Sequence, residues 1–570
     1  MKKRIFSTLL ALCMLLCLMP TAAFAEESTE TPPVCSCETA CTAESMNTDC
    51  PVCGAEGALP ESCAKCAQPA DAAAVQPEGE VSDPQPETAL TALSGEGATP
   101  AAGETVRDVR TADELTAAIA DSSVNTVKLA GDISISSSLT VNRTVTLDLN
   151  GQVLKYVGEN EGSVIVVEGS GKLTLTDSNT AAEHKFMPGT NGLWVLDEEN
   201  GKETVTGGVI TGGTGKPIQF GSGEYVYYAY YGGGVYIAPG GQLTMTGGNI
   251  IGCSAECGGG VCVDSGRNGE PGQFSMSGGS IAGCVATDIG GGVRASGTFK
   301  MSGKAVIRSC TAESATQFVC GGGVYVDGSS SFEMSNEAKI EGCQAISTSS
   351  NSSNGGGVYV SSSSSFVMSD AAKIENCQAI SNSSKSSKGG GVHLANNTEF
   401  TLSGSAVIQN CTAVNSDSSG KAYGGGVSAA CMRWITLEGN AQISQCAAVN
   451  GSGLYITGSK NNSGYGELYA IGGSVDGDVV LGDTIDGPCV ITGSGGTVFN
   501  GKVTVTTDSV IESGTFNGEV INNGTITGGV FNSTVSGSGT ITGGTFNTPI
   551  TGSGTESDPY QISTADQLKL

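Results

Sequence analysis

Short apolar–polar alternations, bounded by glycine and serine, run through most of this chain. Thr126 to Leu129, Ile133 to Val141, Val145 to Leu149 and Val164 to Val167 each read as strands. Ahead of them, Thr111-Ala112-Asp113-Glu114 matches a capping box, and Leu115, Ala118 and Ile119 give the following short helix one apolar face. From Gly232 onward the alternation becomes periodic. Gly-Gly-Gly-Val begins at residues 232, 258, 290, 321, 355, 389 and 424, with a worn copy at Gly451-Ser452-Gly453-Leu454. The spacings are 26, 32, 31, 34, 34, 35 and 27 residues.

Each period holds a second strand, such as Phe332-Glu333-Met334, and a third, such as Ile340-Glu341, that runs into a cysteine. The interval from Met or Leu to that cysteine is eight or nine residues throughout, so the length variation falls between the cysteine and the next glycines. There the chain is serine-rich, as in Ser347 to Asn354 and Ser381 to Lys388, and these stretches read as mobile loops. Three short strands and one elastic loop per period predict a three-faced parallel β-solenoid. Each coil buries its apolar face only when another coil stacks on it. The glycine triplet suits a corner that needs positive φ and close backbone approach. The cysteines at 253, 284, 310, 343, 377, 411 and 446 then form one internal column of thiols, a register in which neighbouring Cβ atoms stand too far apart for relaxed disulfides. Cys257, Cys262, Cys320, Cys431 and Cys489 fall outside it and are free to pair individually.

A finer repeat follows: Phe-Asn recurs at Phe499, Phe516, Phe531 and Phe546, spaced 17, 15 and 15 residues, and continues the solenoid with narrower coils. Near the end, Thr564-Ala565-Asp566-Gln567-Leu568 echoes Thr111-Ala112-Asp113-Glu114-Leu115, as though a second copy of the opening module begins there. The Gly-Gly-Gly-Val-Tyr-Val units, with Ile374-Glu375-Asn376-Cys377, resemble the repeats of polymorphic outer-membrane and adhesin-like surface proteins. More broadly, about residues 106–550 resemble the pectin-lyase-like right-handed β-helix superfamily, and Leu147-Asp148-Leu149-Asn150-Gly151 resembles an opening motif of such helices. The resemblance implies an all-β, right-handed parallel β-helix of three-strand coils, with a short N-terminal capping helix. It implies function only weakly, because this fold carries lyases, glycosidases and adhesins alike.

Composition refines the picture. The chain has 570 residues, 86 of them glycine, and a formal charge of −29. A basic footprint for nucleic acid is missing, which excludes that class of partner. Met1 to Ala25 has a basic start, an apolar run from Ile5 to Met19 and an Ala23-Phe24-Ala25 box, the layout of a cleaved secretory signal, and no later segment reads as membrane-spanning. Residues 26–104 form an acidic, Cys-containing linker. The remaining divisions are opening coils and an insertion over 105–230, triplet repeats over 231–460, the short-period continuation over 461–555, and the start of a further, apparently truncated module over 556–570.

Chemistry-bearing residues are few. Cys50, Cys53, Cys63 and Cys66 make two CxxC knuckles over residues 50–66 that fit a structural zinc, while export favours disulfides, and both readings stand. The position after each triplet's valine faces outward if the valine faces in, giving a column of Tyr236, Cys262, Arg294, Tyr325, Tyr359, His393, Ser428 and Tyr455. Tyrosines at coil spacing suit stacking on successive sugar rings, or else they shield the sheet. Tyr225, Tyr227, Tyr228, Tyr230 and Tyr231 crowd before the first triplet and Trp194 lies in the preceding insertion, a second candidate ligand patch. Lys339, Lys373, Glu341 and Glu375 read as a solvated face with diagonal pairing across coils. Asp264, Asp288, Arg294 and Asp327 are the nearest approach to a catalytic group, but they do not recur coherently, so the sequence leans away from an enzyme. The expectation is a secreted or cell-surface adhesin-like protein with a glycan-binding, host-surface or spacer role, its partner a polysaccharide or host glycoprotein. A polysaccharide lyase or glycoside hydrolase and a purely structural stalk are the alternatives.

Overall fold

The structure, a computed structural model, describes residues 105–547 except 222–224, 267–269, 316, 349–350, 396, 431–433, 459–465 and 483–486. It opens with strand Val106–Val109 and helix Ala112–Ala120. The helix starts where the sequence places its cap: Thr111 Oγ1 accepts from the Glu114 amide at 3.2 Å, and Glu114 Oε2 accepts from the Arg110 amide at 2.7 Å. Leu115, Ala118 and Ile119 are buried against the first coils, so the helix closes that end of the core. Arg143 donates to the carbonyls of Ala118 and Ile119, satisfying groups that a helix C-terminus leaves open.

Behind the helix, the strands fall into three long parallel sheets of sixteen, fifteen and fourteen strands. The first runs from Val106–Val109 to Thr540–Ile541, the second from Ile133–Ile135 to Thr545–Phe546, and the third from Leu139–Val141 to Val535–Ser536. Each coil contributes one strand to each sheet, as the sequence predicts for a right-handed parallel β-helix. Register is strict, with Val324 beside Val358 and Phe332 beside Phe366. Like residues therefore stack on like. Phe274, Phe299, Phe332, Phe366 and Phe400 form a buried ladder with ring centroids 4.9, 4.7, 4.7 and 5.0 Å apart. The narrower coils build a second ladder from Phe499, Phe516, Phe531 and Phe546 at 5.0, 4.9 and 4.8 Å. Beside it the asparagines of the same Phe-Asn repeat chain their side-chain amides outside, Asn517 to Asn500, Asn532 to Asn517 and Asn547 to Asn532.

Corners explain the glycines and the cysteines together. Gly355, first of its triplet, has φ +65°, and a Cβ on Gly356 would lie 2.3 Å from the Gln378 carbonyl carbon, so neither position accepts a side chain. The corner before the thiol column also uses left-handed backbone, at Gly342 (φ +61°), Asn376 (+58°), Asn410 (+54°) and Gln445 (+54°). That left-handed step turns the next residue inward. Cys343 is fully buried and its thiol donates to the Glu341 carbonyl at 3.5 Å and the Ile307 carbonyl at 3.9 Å. The column cysteines are buried free thiols that pack as small apolar groups and weakly satisfy corner carbonyls. Cys257, Cys262, Cys320 and Cys489 are likewise buried free thiols rather than paired ones.

The serine-rich stretches are a correction. They do not hang free as mobile loops, because their described residues build a lateral sheet beside the coils. Outbound strands Thr311–Ser314, Gln344–Ser347, Gln378–Ser381 and Thr412–Asn415 stack on one another, and so do return strands Val319–Cys320, Ser353–Asn354, Ser387–Lys388 and Ala422–Tyr423. Serine and glutamine suit this role because each finds its partner one coil away. Gln344 donates to Gln378 at 2.9 Å, and Ser383 donates to the Asn351 carbonyl at 3.1 Å. Ala312, Val319 and Ala345 give the lateral sheet a small core of its own.

The phenylalanine ladder yields a direct test. Phe366→Ala leaves a ring-sized cavity between Phe332 and Phe400, and we expect a loss of about 3–5 kcal/mol in denaturant unfolding. Phe366→Leu keeps most of the volume and costs less than half as much.

Candidate functional site

The column that follows the triplet valines is in register from end to end: Tyr236, Cys262, Arg294, Tyr325, Tyr359, His393, Ser428 and Tyr455 are successive neighbours on the third sheet. It points away from the main core, yet it is not an open platform. Side chains of the lateral sheet lean over it. Tyr231 lies 5.2 Å beneath the Arg294 guanidinium, and Tyr423 meets Tyr455 at 4.5 Å. Tyr325 and Tyr359 stack on each other at 5.2 Å with 5° between planes, so each ring spends a face on its neighbour. Tyr236 is buried, donates its hydroxyl to Asp264 at 2.6 Å and carries Lys216 Nζ 4.8 Å above its ring. Burial, with that carboxylate beside it, holds its phenol strongly protonated.

His393 is buried beside Tyr359, and its Nδ1 lies 3.0 Å from the Ser428 carbonyl, an acceptor only, so Nδ1 carries the proton of a neutral ring. Burial, reinforced by the charge of Lys388, pushes its pKa down to about 3. Arg294 sits within the column. Its guanidinium reaches Asp327 at 3.5 Å and the Cys262 sulfur at 3.7 Å. Asp327 also accepts from Ser296, and together these contacts tie three coils through one polar knot.

Trp194 is placed elsewhere. It is buried with Val209 of the second sheet and with Phe186 and Val205 of the insertion, whose strands Glu183–Pro188, Trp194–Leu196 and Glu203–Thr206 form an antiparallel sheet. Arg308 stacks 4.8 Å from the indole, and the ring covers Gly283, where a Cβ would come within 2.0 Å. Trp194 therefore clamps the insertion onto the coils. Tyr227 and Tyr228 differ sharply. They lie on a hairpin, Lys216–Phe220 paired antiparallel with Tyr227–Tyr231, that projects from the lateral sheet. Both are 53% exposed and Tyr225 is 82% exposed. Phe220 stacks on Tyr227 at 5.4 Å, and Tyr228 Oη donates to Gln219 at 3.3 Å, so the aromatic pair is held rather than loose. Cys50, Cys53, Cys63 and Cys66 lie outside the described residues.

Two concavities escape any reading of periodicity. One, of about 330 Å³, lies in the lateral sheet and is lined by Glu256, Asp288 and Glu313. Burial, then repulsion from Glu256, pushes the Asp288 carboxyl up to about 6. The other, of about 530 Å³, is a serine-lined notch between the third and first sheets. Neither leaves a motif, because each arises from where unequal loops meet. Among the described residues, no group of three or more His, Cys, Asp or Glu is placed to hold a metal ion.

The two shifted groups give opposite pH signatures. The native state holds the Asp288 proton more tightly than the unfolded chain, so this contribution is lost as pH rises through about 6. Asp288→Asn is expected to raise stability at pH 7 by roughly 1–2 kcal/mol, with little effect at pH 4, in guanidinium titrations. The unfolded chain instead binds the His393 proton first, so wild type loses stability as pH falls from 6.5 toward 3. His393→Gln should remove that part of the acid sensitivity, up to about 1.4 kcal/mol per pH unit.

No curated protein and no solved structure matches the chain. No described helix is long and apolar enough to cross a membrane. A family model does match the opening coils and the insertion, and it supports an adhesin-like β-helix protein with an extracellular or surface role. Residues 106–217 match the pectate lyase-like adhesive domain, and the fold as a whole is that of a pectin-lyase-like parallel β-helix.

Proposed function

We propose that this protein is exported through residues 1–25, held by the acidic linker 26–104, and displayed as an adhesin that binds extracellular glycans. Residues 105–460 supply the recognition coils and 461–555 the narrower spacer. The adhesive-domain match supports the class. The observation that carries the specific reading is the aromatic hairpin, where Tyr225, Tyr227 and Tyr228 present rings to solvent on a braced two-stranded projection. Large exposed aromatics that form no core mark recognition surfaces, and a tyrosine offers both a ring face and a hydroxyl to a sugar. The column supports that role indirectly: Tyr231, at the base of the hairpin, packs against Arg294 of the column.

The experiment is retention on an array of neutral and acidic glycans and mucin-type glycoproteins. Tyr227→Ala with Tyr228→Ala is expected to weaken retention about tenfold or more, leaving thermal unfolding unchanged. Tyr359→Ala is expected to lower unfolding stability by about 2–4 kcal/mol, because it removes a stacked, mostly buried ring. Retention insensitive to the hairpin pair would reject the hairpin as the recognition surface.

A further inference from the structure

Between residues 321 and 424 the coils are close copies, and in the lateral sheet Ser347 lies beside Ser381 and Ser353 beside Ser387. One position of the return strands breaks the pattern. The residue before each triplet runs Cys320, Asn354, Lys388 and Tyr423 along the axis. A thiol, a carboxamide and an amine thus follow one another on consecutive strands, about 4.8 Å apart. Ile289 before them and Tyr423 after them show that this position accepts aliphatic and aromatic side chains, so packing alone does not call for these three groups.

Two of the three are buried and poorly satisfied. Cys320 is 6% exposed and Asn354 9%. Asn354 Nδ2 lies 3.6 Å from Cys320 Sγ, a weak acceptor, and its Oδ1 has no hydrogen-bond partner among the described residues. A buried carboxamide with one end on sulfur and the other unpaired is uncommon in a folded protein. Lys388, the register neighbour on its other side, is half-buried and enters no ion pair or side-chain hydrogen bond among the described residues. An amine without a carboxylate partner therefore stands beside an amide whose oxygen lacks a donor. The flexible lysine stem spans the step between register neighbours without any shift of the backbone.

We infer that Lys388 and Asn354 are joined by an isopeptide bond, which ties two successive coils together through the lateral sheet. Lys388 Nζ, as the free amine, attacks Asn354 Cγ. The new C–N bond forms as the Cγ–Nδ2 bond breaks, the departing nitrogen takes up the proton that the amine sheds, and one ammonia leaves. Nothing is oxidised or reduced. Cys320 touches the departing nitrogen and is the group placed to relay that proton. Burial pushes its thiol up to about 12, so it stays S–H, a donor rather than a competing thiolate nucleophile. Two groups held in register on neighbouring strands react without the entropy cost of a bimolecular encounter. The reaction occurs once in each molecule, so a slow step suffices. This inference does not depend on what the protein binds.

The test is mass spectrometry of the full chain as purified, with thiols alkylated after unfolding and the chain then digested. A branched peptide linking Lys388 to Asn354 is expected, one ammonia lighter than its two parts together and stable to hydroxylamine. Lys388→Arg and, separately, Asn354→Ser should each abolish it. Cys320→Ala should lower the linked fraction at a fixed time after expression at least tenfold, and equal linkage in that variant overturns the relay. Linear, unmodified peptides carrying Asn354 and Lys388 from the folded wild-type chain overturn the inference, and this map decides the matter whether or not the variants fold. An ammonia deficit that persists in Lys388→Arg and is reversed by hydroxylamine assigns a Cys320–Asn354 thioester and overturns the role of the lysine.

Discussion

Parallel, in-register stacking governs everything else in this molecule. Each residue of a coil lies about 4.8 Å from its own counterpart in the next, so a side chain is tolerated only if it tolerates a copy of itself. Phenylalanine stacks on phenylalanine, valine on valine and thiol on thiol. Amides go further, because one end donates to what the other end accepts, and the asparagine ladder outside Phe499 to Phe546 uses that property. Charges fail the criterion. Lys339 lies beside Lys373 and Glu341 beside Glu375, and the conflict is relieved diagonally, with Lys339 Nζ bridging Glu341 at 2.7 Å and Glu375 at 2.5 Å. Such half-exposed pairs contribute little stability; their effect is to cancel a repulsion that the register imposes.

The same rule separates what could be read from the sequence from what could not. The triplets fixed the period and the third sheet, the Phe-x-Met units the first, and the Ile-x-x-Cys units the second, so the coil was legible residue by residue. Lys339 with Glu375 was legible for the same reason. The lateral sheet was not. Serine-rich segments such as 381–388 carry no apolar alternation, and composition alone says loop; their order comes from a partner one coil away, which a local window cannot see. The left-handed corners at Asn376, Asn410 and Gln445 were hidden too, since only their shared place before a cysteine distinguishes them.

The candidate site was read with the same strengths and blind spots. Alternation correctly turned Tyr325 and Tyr359 away from the main core. It could not reveal that the chain between cysteine and triplet folds back over that face, or that ring faces at coil spacing are consumed by one another. Trp194 suggested a ligand contact because it is an aromatic in the insertion that precedes the tyrosine cluster. Its real partners, Phe186, Val205 and Arg308, come from segments with no shared motif. The exposed tyrosines at 225, 227 and 228 were conspicuous as a cluster, although the hairpin that presents them was not.

A repeating scaffold can make a specific site only where it stops repeating. Over residues 321–424 the coils recur at 34, 34 and 35 residues, and their surface is a set of uniform ladders. Over 232–321 the intervals are 26, 32 and 31 residues, and there the corners differ in length and the lateral sheet begins, while the insertion and the hairpin leave the helix just before this stretch. The notch, the acidic concavity, the Arg294 knot and the exposed tyrosines all lie on or beside this irregular stretch. Regular coils beyond it extend the core. The uniform ladders thus belong to the regular coils and most of the non-repeating surface features to the irregular ones, so loops near residues 216–298 can vary while the ladders that hold the fold stay as they are.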